Sequence, residues 1–546
     1  MASEFGALNW AIVAAYLLGN LLLGYVMSRR VKTSDDYYLG DRSSPWWAIG
    51  ISVVATYVSA LSFLGGPAWA YGDGMAALAI HINYPIVIFI VITVFLPFFF
   101  NSGVASIYEY LERRFGRTSR SVMSIIFLIT QSINAASILT ATAVVVTFVT
   151  GIDAKTAVLI MTVIVVVYTL MGGMNAVIWT DVLQGFILFL GAGIVLYFLL
   201  DAVSPLSGAL DYLSAAERLN PINTTLDFTV APTIWTGVFA LTLYHVTVYG
   251  ANQMMVQRAL AAKNIGDAKK SYLLMGYASF FIYFLFFFVG ALLYVHFNGE
   301  PFDEPNKIIL FFADALGIPG LMGIIAAAVL SASMSTLSSA LNSLATITVT
   351  DFYKPFARPE ESDKHYLFMS RVFTLCWSVV LIPVAYAFIS SGGSILEALS
   401  KAGSYFVGAK LAMFAMGFFS KNISERGLLI GVICGFIGLF ILVGLGGLGG
   451  VDGLVPTIAW PWYVVIGGAI NIIAAWVASI ILDGRQSDWH PQSVPGQLKS
   501  FRQSGDPQKS GGWYIVPGKI DAAAWGLPVM FLAIIGFMIW FGTLGS

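Results

Sequence analysis

Charge is scarce in this chain. Asp, Glu, Lys and Arg make up 10% of its 546 residues, where a water-soluble protein carries about 25%. Hydrophobic residues reach 58% and the mean hydropathy is +0.82. Water cannot be the solvent for most of such a chain, which excludes a secreted enzyme, a nucleic-acid binder and a disordered scaffold. A net charge of −1 offers no field to gather a polyanion. Cysteine is nearly absent: Cys376 and Cys434 both lie inside apolar stretches, which excludes a disulfide framework and a thiolate metal site. The five histidines are scattered, and no HExxH, GxSxG or P-loop pattern occurs, so no enzyme is expected. Glycine, by contrast, is plentiful at 54 residues, as suits helices that pack closely or break within a bilayer.

A bilayer core of about 30 Å needs roughly 20 apolar residues per helix. Such stretches lie near residues 8–28, 45–71, 75–100, 121–150, 155–174, 177–200, 231–256, 272–297, 319–350, 369–390, 395–419, 427–445, 458–482 and 525–544. They predict an all-α integral membrane protein of about 14 transmembrane helices. The first stretch has no basic residue before it and is too long for a signal-peptide core, so it reads as an uncleaved span. Arg29, Arg30, Lys32 and Arg42 follow it, and Arg113, Arg114, Arg117 and Arg120 fall on the same side. Arg258, Lys263, Lys269 and Lys270 join them, then Lys354, Arg358, Lys364 and Arg371, with Lys421 and Arg426. Arg485, Lys499, Arg502, Lys509 and Lys519 bring that side to 23 of the 28 basic residues, against Lys155, Arg218 and Lys307 opposite. This asymmetry is the positive-inside rule obeyed by an even number of spans, with both termini outside. The segments 201–230 and 483–524 read as loops, the latter rich in Ser, Gly, Gln and Pro with little fold of its own.

Three spans are interrupted in ways a plain anchor does not need. The second contains Ser59, Ser62 and the run Gly65-Gly66-Pro67, which removes helix propensity and a backbone donor at membrane depth. A simple kink is one reading; freed carbonyls facing a cavity is the other. The seventh carries Tyr249-Gly250-Ala251-Asn252-Gln253 at a corresponding depth, and five spans separate the two starts, so the second unit enters in the opposite sense. Interrupted helices at matching places in inverted halves point to the binding site of a secondary transporter. The ninth span holds Ser331, Ser335, Ser338 and Ser339 at i, i+4, i+7, i+8, four hydroxyls on one face. Each serine alone could bond its own helix carbonyl, but a stripe this dense suits a polar site, and hydroxyl oxygens suit a hard cation such as sodium.

Asp181 opens the sixth span, either solvated at the membrane face or acting as a cation ligand. Lys410 sits mid-span, beyond a snorkel's reach, and must face a cavity, a carboxylate or an anionic solute. Glu397 and Lys401, at i and i+4, can pair locally, and His81 and His245 also fall in spans. The match to G-x-G-x-x-G at residues 444–449 ends a span with no strand before it and is no nucleotide site.

The ordered motifs Asp36-Tyr37-Tyr38-Leu39-Gly40-Asp41-Arg42, Tyr108-Glu109-Tyr110-Leu111-Glu112-Arg113-Arg114-Phe115, Gly172-Gly173, Trp179-Thr180-Asp181 and Asn252-Gln253 with Gln257-Arg258 go further. With Leu341-Asn342-Ser343 and Asp351-Phe352-Tyr353-Lys354, they make residues 10–430 resemble the sodium:solute symporter family of sugar, proline, sialic acid, iodide and monocarboxylate transporters. The resemblance implies a LeuT-type fold of two inverted five-helix repeats with discontinuous first helices, here 45–200 and 231–419. Residues 1–44 then form a leading helix and cytoplasmic loop, 201–230 an extracellular loop, and 420–546 three trailing helices. It implies one sodium site at the backbone oxygens of Ala55, Val58 and Ala332 with the Ser335 and Thr336 hydroxyls, and a second at Asp181, Ser335, Ser338 and Ser339, hence two sodium ions per cycle.

Solute is expected near Ser59, Ser62, His81, His245, Tyr249, Ser400 and Lys410. Where sugar-transporting relatives place Gln, Glu, Asn, Lys and Gln, this chain has Ser62, His81, His245, Ser279 and Ser400, which argues against a galactose-like mode. The expected function is import of a sugar, sugar acid or monocarboxylate-like anion by sodium symport with alternating access, in a plasma membrane such as a bacterial inner membrane. A sodium-independent uniporter or channel would not need the cation ligands, and a solute sensor would carry a signalling domain. The expected partners are the solute, sodium ions and the lipid bilayer; no feature calls for nucleic acid or an obligate protein partner.

Overall fold

The computed structural model describes residues 5–28, 37, 40, 42–104, 106–171, 173–390, 395–445, 457–485 and 488–545. Arg29, Arg30, Lys32, most of the motif at 36–42, Gly172 and most of the glycine run at 444–449 lie outside the described residues. The described chain is helical apart from one small hairpin. Helix α1 (Ala7–Ser28) precedes α2 (Trp46–Tyr57); a π-turn at Leu61–Gly65 leads into α3 (Gly66–Asp73). A 3₁₀ stretch, Gly74–His81, carries the chain into α4 (Tyr84–Ile90), a π-turn at Val91–Phe95 and α5 (Leu96–Ser102). Then come α6 (Glu109–Arg114), α7 (Arg117–Thr150), α8 (Ala154–Met171), α9 (Met174–Ala202) and α10 (Leu206–Ala215). A π-turn at Thr236–Ala240 opens α11 (Leu241–Gly250), followed by α12 (Gln253–Leu260), α13 (Ile265–His296) and α14 (Ile308–Leu316). Helix α15 (Leu321–Ile347) runs on as a π-helix to Ala357, and α16 (Asp363–Ser390), α17 (Ile395–Phe419), α18 (Glu425–Leu445) and α19 (Trp462–Asp483) follow. Helix α20 (Val494–Ser504), the antiparallel pair β1 (Lys509–Ser510) and β2 (Trp513–Tyr514), and α21 (Gly526–Gly542) complete the chain.

Among the described residues, eleven helical stretches are long and apolar enough to cross a bilayer. One of them, Leu61–Ser102, is 42 residues long, about twice what a single crossing needs. It turns at Gly74, whose φ of 69° suits glycine and where a Cβ would lie 2.7 Å from the Arg218 carbonyl oxygen. The axis of the bundle is α15, in which every residue from Ile325 to Ile347 is buried. Its small residues (Ala, Ser, Thr, Gly) let α1, α2, α7, α9 and α16 pack around it. Gly427, Gly431 and Gly435, spaced by four, form a ridge on α18 against α19; a Cβ at Gly431 would stand 2.5 Å from the Asn471 carbonyl oxygen. Gly431→Val is therefore expected to lower the stability of the purified protein by about 1–3 kcal/mol, read as a lower melting temperature in detergent.

The two sets of loops sort themselves by contact. On the face with the basic segments, Arg120 Nη2 meets Asp351 Oδ1 at 2.7 Å, the Ser119 amide donates to Glu425, and Lys269 Nζ donates to the Tyr514 carbonyl at 2.8 Å. On the other face, the Arg218 side chain caps the Tyr71 carbonyl, the Ala459 amide donates to the Phe228 carbonyl, and Tyr386 Oη donates to the Lys155 carbonyl. Asp153 starts α8 there: the Thr156 hydroxyl and amide donate to its carboxylate and hold it below the usual carboxylate range.

Two expectations about segments need correction. Residues 483–524 are not a structureless loop: they carry α20 and the hairpin, and Lys269 pairs with Asp521 at 2.5 Å while the Gly518 amide donates to the Thr93 carbonyl. Polar composition hid this because the order comes from partners far away in sequence. The basic count also included residues that are not solvated, since Arg258 and Lys269 are fully buried in ion pairs.

Candidate functional site

The first break falls earlier than the Gly65-Gly66-Pro67 run. Helix α2 ends at Val58, whose ψ of 92° is extended, and the chain restarts around Ser59, whose carbonyl accepts from the Ser62 and Phe63 amides. Pro67 follows directly on the π-turn, with Gly65 and Gly66 both in helical backbone and the Gly66 amide donating to the Ser62 carbonyl, so the glycine–proline run stays helical. The second break lies where expected: the Ala251 amide closes α11 on the Thr247 carbonyl, and Asn252 caps α12 through its side chain to the Met254 amide at 3.0 Å.

The end of α2 leaves its last-turn carbonyls without the partners a continuous helix would supply. Thr336 Oγ1 of α15 donates to one of them, the Thr56 carbonyl, at 2.9 Å, and to its own helix at the Ala332 carbonyl at 3.2 Å. Ala55, Val58, Ala332, Ser335 and Thr336 are all buried around this contact. The donor set is oxygen only, at the negative end of a helix dipole, which is the chemistry a hard monovalent cation requires.

The residues expected to hold a second ion also come together: Ser335 bridges Asp181 to Ser338 and Ser339. Asp181 of α9 is fully buried and hydrogen-bonded: Ser335 donates to Oδ1 at 2.6 Å, Ser52 to Oδ2 at 2.5 Å and Thr56 to Oδ2 at 3.2 Å. Arg258 of α12 completes the set, with Nη2 3.1 Å from Asp181 Oδ2. Ser338 and Ser339 both turn their hydroxyls to the Ser335 carbonyl, and Ser339 also accepts from Arg258. Asp181 is thus a buried carboxylate paired with the Arg258 guanidinium, a partner that offsets the cost of its burial.

A cavity of about 200 Å³ opens beside the first break. Ser59, Ser62, His81, His245 and Lys410 line it as expected, together with Thr56 and Thr336. Lys410 Nζ donates to Thr130 Oγ1 at 2.6 Å, which leaves further N–H groups for a guest. It is the only Lys, Arg, Asp or Glu among the described lining residues. The Asn83 amide donates to the Gly237 carbonyl at 2.8 Å, which leaves its oxygen to accept from His245 Nδ1 at 2.9 Å. His245 Nε2 is then the nitrogen available to a solute. His81 stacks on Tyr283 at 3.7 Å and bonds Tyr84 through Nδ1 at 2.9 Å.

One expected solute contact, Tyr249, is not brought there: it packs on Tyr57 with ring centres 5.0 Å apart, behind the described lining rather than in it. Ser279, compared above with the sugar-transporting relatives, is buried on α13 outside that lining. The Ser400 side chain lies outside the described residues, as do those of Glu397 and Lys401. Sequence reasoning missed Tyr57, Tyr244, Tyr283, Phe287 and Asn134 of the lining. For Tyr283 and Phe287 a signal existed, since Ser279, Tyr283 and Phe287 share one face of α13 at i, i+4, i+8. The others are indistinguishable from ordinary aromatic and polar span residues.

The sequence model described as "Sodium:solute symporter family" matches residues 37–435. Sodium-coupled monocarboxylate transporter 2 of Bos taurus is 29% identical over 445 residues, 80% of this chain and 72% of that protein. The sodium/sialic acid symporter SiaT of Proteus mirabilis is 27% identical over 447 residues, 80% of this chain and 89% of that one. A solved structure of a sodium-coupled sialic acid symporter, in a substrate-bound outward-open state, superposes with a TM-score of 0.78 at 26% identity, covering 88% of this chain and all of that one.

Proposed function

This chain belongs to the sodium:solute symporter family, with a LeuT-type fold and sodium as the coupling ion, and on that footing we propose that it imports a small organic anion carrying a carboxylate. Sodium binds between the end of α2 and α15, at Ala55, Val58, Ala332, Ser335 and Thr336. The anion binds in the adjoining cavity, its charge met by Lys410 and its polar groups read by Ser59, Ser62, His81 and His245. The observation that carries this reading is Thr336, whose hydroxyl touches a freed carbonyl of α2 while its side chain lines the same cavity as the solute candidates. Ion and solute then share a wall, so each favours the conformation the other needs. Moving one charge through 100 mV supplies about 2.3 kcal/mol to drive the cycle.

The carboxylate assignment is supported by the lone lysine in a described lining without acids, and by relatives named for a monocarboxylate and a sialic acid, both carboxylic acids. Fourteen crossings, both termini on the outer side of a plasma membrane and repeats at 45–200 and 231–419 belong to the same proposal; contacts among the basic loops support placing those loops on one face. Proteoliposome uptake tests the solute class. Lys410→Gln should raise the KM for the transported anion about 10- to 100-fold, the loss of one charged hydrogen bond worth about 1.5–3 kcal/mol. An unchanged KM, or preferred uptake of a neutral sugar, would remove the anion reading.

A further inference from the structure

We propose that Trp460 forms the far wall of the solute cavity and selects solutes that carry an apolar or aryl group at the end remote from Lys410. The inference rests on the anion reading proposed above and adds to it what the rest of the solute must be. Leu399, Gly403, Val407 and Lys410 line the cavity at i, i+4, i+8 and i+11, so one face of α17 runs down its length. Gly403 and Lys410 are then about 10 Å apart along the helix. At the Lys410 end the wall is polar, with the ammonium donating to Thr130 Oγ1 at 2.6 Å.

At Gly403 the wall changes character. A Cβ there would meet Tyr244 Oη at 3.4 Å, and the Tyr244 ring stands edge-on to Trp460 with centres 6.3 Å apart. Trp460, Ile80 and Leu241 belong to a small apolar cluster separate from the main core, with Trp69 and Tyr244 packed against it, and all five line the cavity. The chain around Trp460 is held from both sides. The Ala459 amide donates to the Phe228 carbonyl at 2.8 Å, and Tyr463 packs on Tyr405 of α17 with ring centres 5.2 Å apart. Trp460 stands just ahead of α19, beyond the residues 37–435 that the family model matches. A solute arrives from water, so an apolar end covered by these rings is favoured, whereas a hydroxylated end would give up its water for few partners. A carboxylate at Lys410 with an aryl or alkyl group toward Trp460 satisfies both ends, which favours an arylalkanoic or medium-chain acid over a polyhydroxylated sugar acid.

The test is the affinity of the purified full chain, in sodium, for 3-phenylpropionate and for propionate, read by thermal-shift titration. Wild type should prefer the aryl acid by about 10-fold or more, because the phenyl group adds several carbons of buried apolar surface. Trp460→Ala should cut that preference about 10-fold by weakening the aryl acid, and Trp460→Phe should restore most of it. In Lys410→Gln both acids should weaken together with the preference kept. A wild type that binds both acids alike or prefers propionate overturns the inference, as does an unchanged preference in Trp460→Ala. Equal weakening of both acids in Trp460→Ala assigns Trp460 a packing role and overturns it too. If neither acid binds but 3-phenyl-1-propanol does, and Trp460→Ala weakens it, the anion reading fails while the Trp460 wall stands; binding of none of the three overturns both. Should Trp460→Ala fail to fold, Trp460→Leu takes its place, with the preference for the aryl acid again expected to fall.

Discussion

Thr336→Val should lower the apparent sodium affinity about 10- to 100-fold, and uptake at ordinary sodium concentrations should fall accordingly. Valine keeps the shape of threonine and puts a methyl in place of the hydroxyl, so the volume filled in the buried α15 interface is nearly unchanged. What disappears is the one observed side-chain contact between α15 and a freed carbonyl of α2, the bond to Thr56 at 2.9 Å. It is also one of two hydroxyl ligands in the proposed site. Thr336→Ser, which restores the oxygen, should recover most of the sodium affinity. Measured as sodium-dependent uptake in proteoliposomes, the effect should appear in the sodium concentration needed for half-maximal rate. If that concentration were the same in wild type and Thr336→Val, sodium would not bind at this break.

Asp181→Ala is expected to be the most damaging single change to stability. It leaves the Arg258 guanidinium, with no solvent exposure, without its only carboxylate among the described ion pairs. Breaking a buried pair from one side costs about 3–5 kcal/mol, because the remaining charge stays desolvated. Ser52, Thr56 and Ser335 would lose their acceptor at the same time. Removing both charges together, as Asp181→Leu with Arg258→Met, should recover a large part of that loss, since a neutral apolar pair carries no desolvation penalty. Thermal melting in detergent gives the answer. A double variant no more stable than Asp181→Ala would mean that the pair is not the unit that matters.

How far the sequence could be read depended on whether a signal was local. The broken spans were legible because glycine, asparagine and proline act within a few residues of themselves. Even so, the first break lies some residues before the Gly65-Gly66-Pro67 run, because a glycine–proline run reads the same whether the chain breaks there or passes through it in helical backbone. The serine stripe of α15 was legible from its periodicity, whereas Thr336, whose hydroxyl meets α2, was implied only by the family resemblance.

Arg258 was not legible. A basic residue close to the end of a span reads the same whether it reaches toward water or turns inward, and its partner stands 77 positions away. The folded segment at 483–524 failed for the same reason, because its polar composition says nothing of Lys269, Thr93 or Asn101 waiting on the bundle face. In the cavity, the histidines and the lysine stood out as rare residues in apolar spans, whereas Tyr57, Tyr244 and Tyr283 were hidden among 24 tyrosines.

Coupling between ion and solute is the central claim, and it is reciprocal by thermodynamic necessity. The most direct measurement is thermal stabilisation of the purified protein by a panel of monocarboxylates, sialic acid, neutral sugars and amino acids, each in sodium and in potassium. A carboxylic acid should raise the melting temperature in sodium and leave it unchanged in potassium, and its presence should lower the sodium concentration needed for half the effect. Equal stabilisation in sodium and potassium would contradict the account.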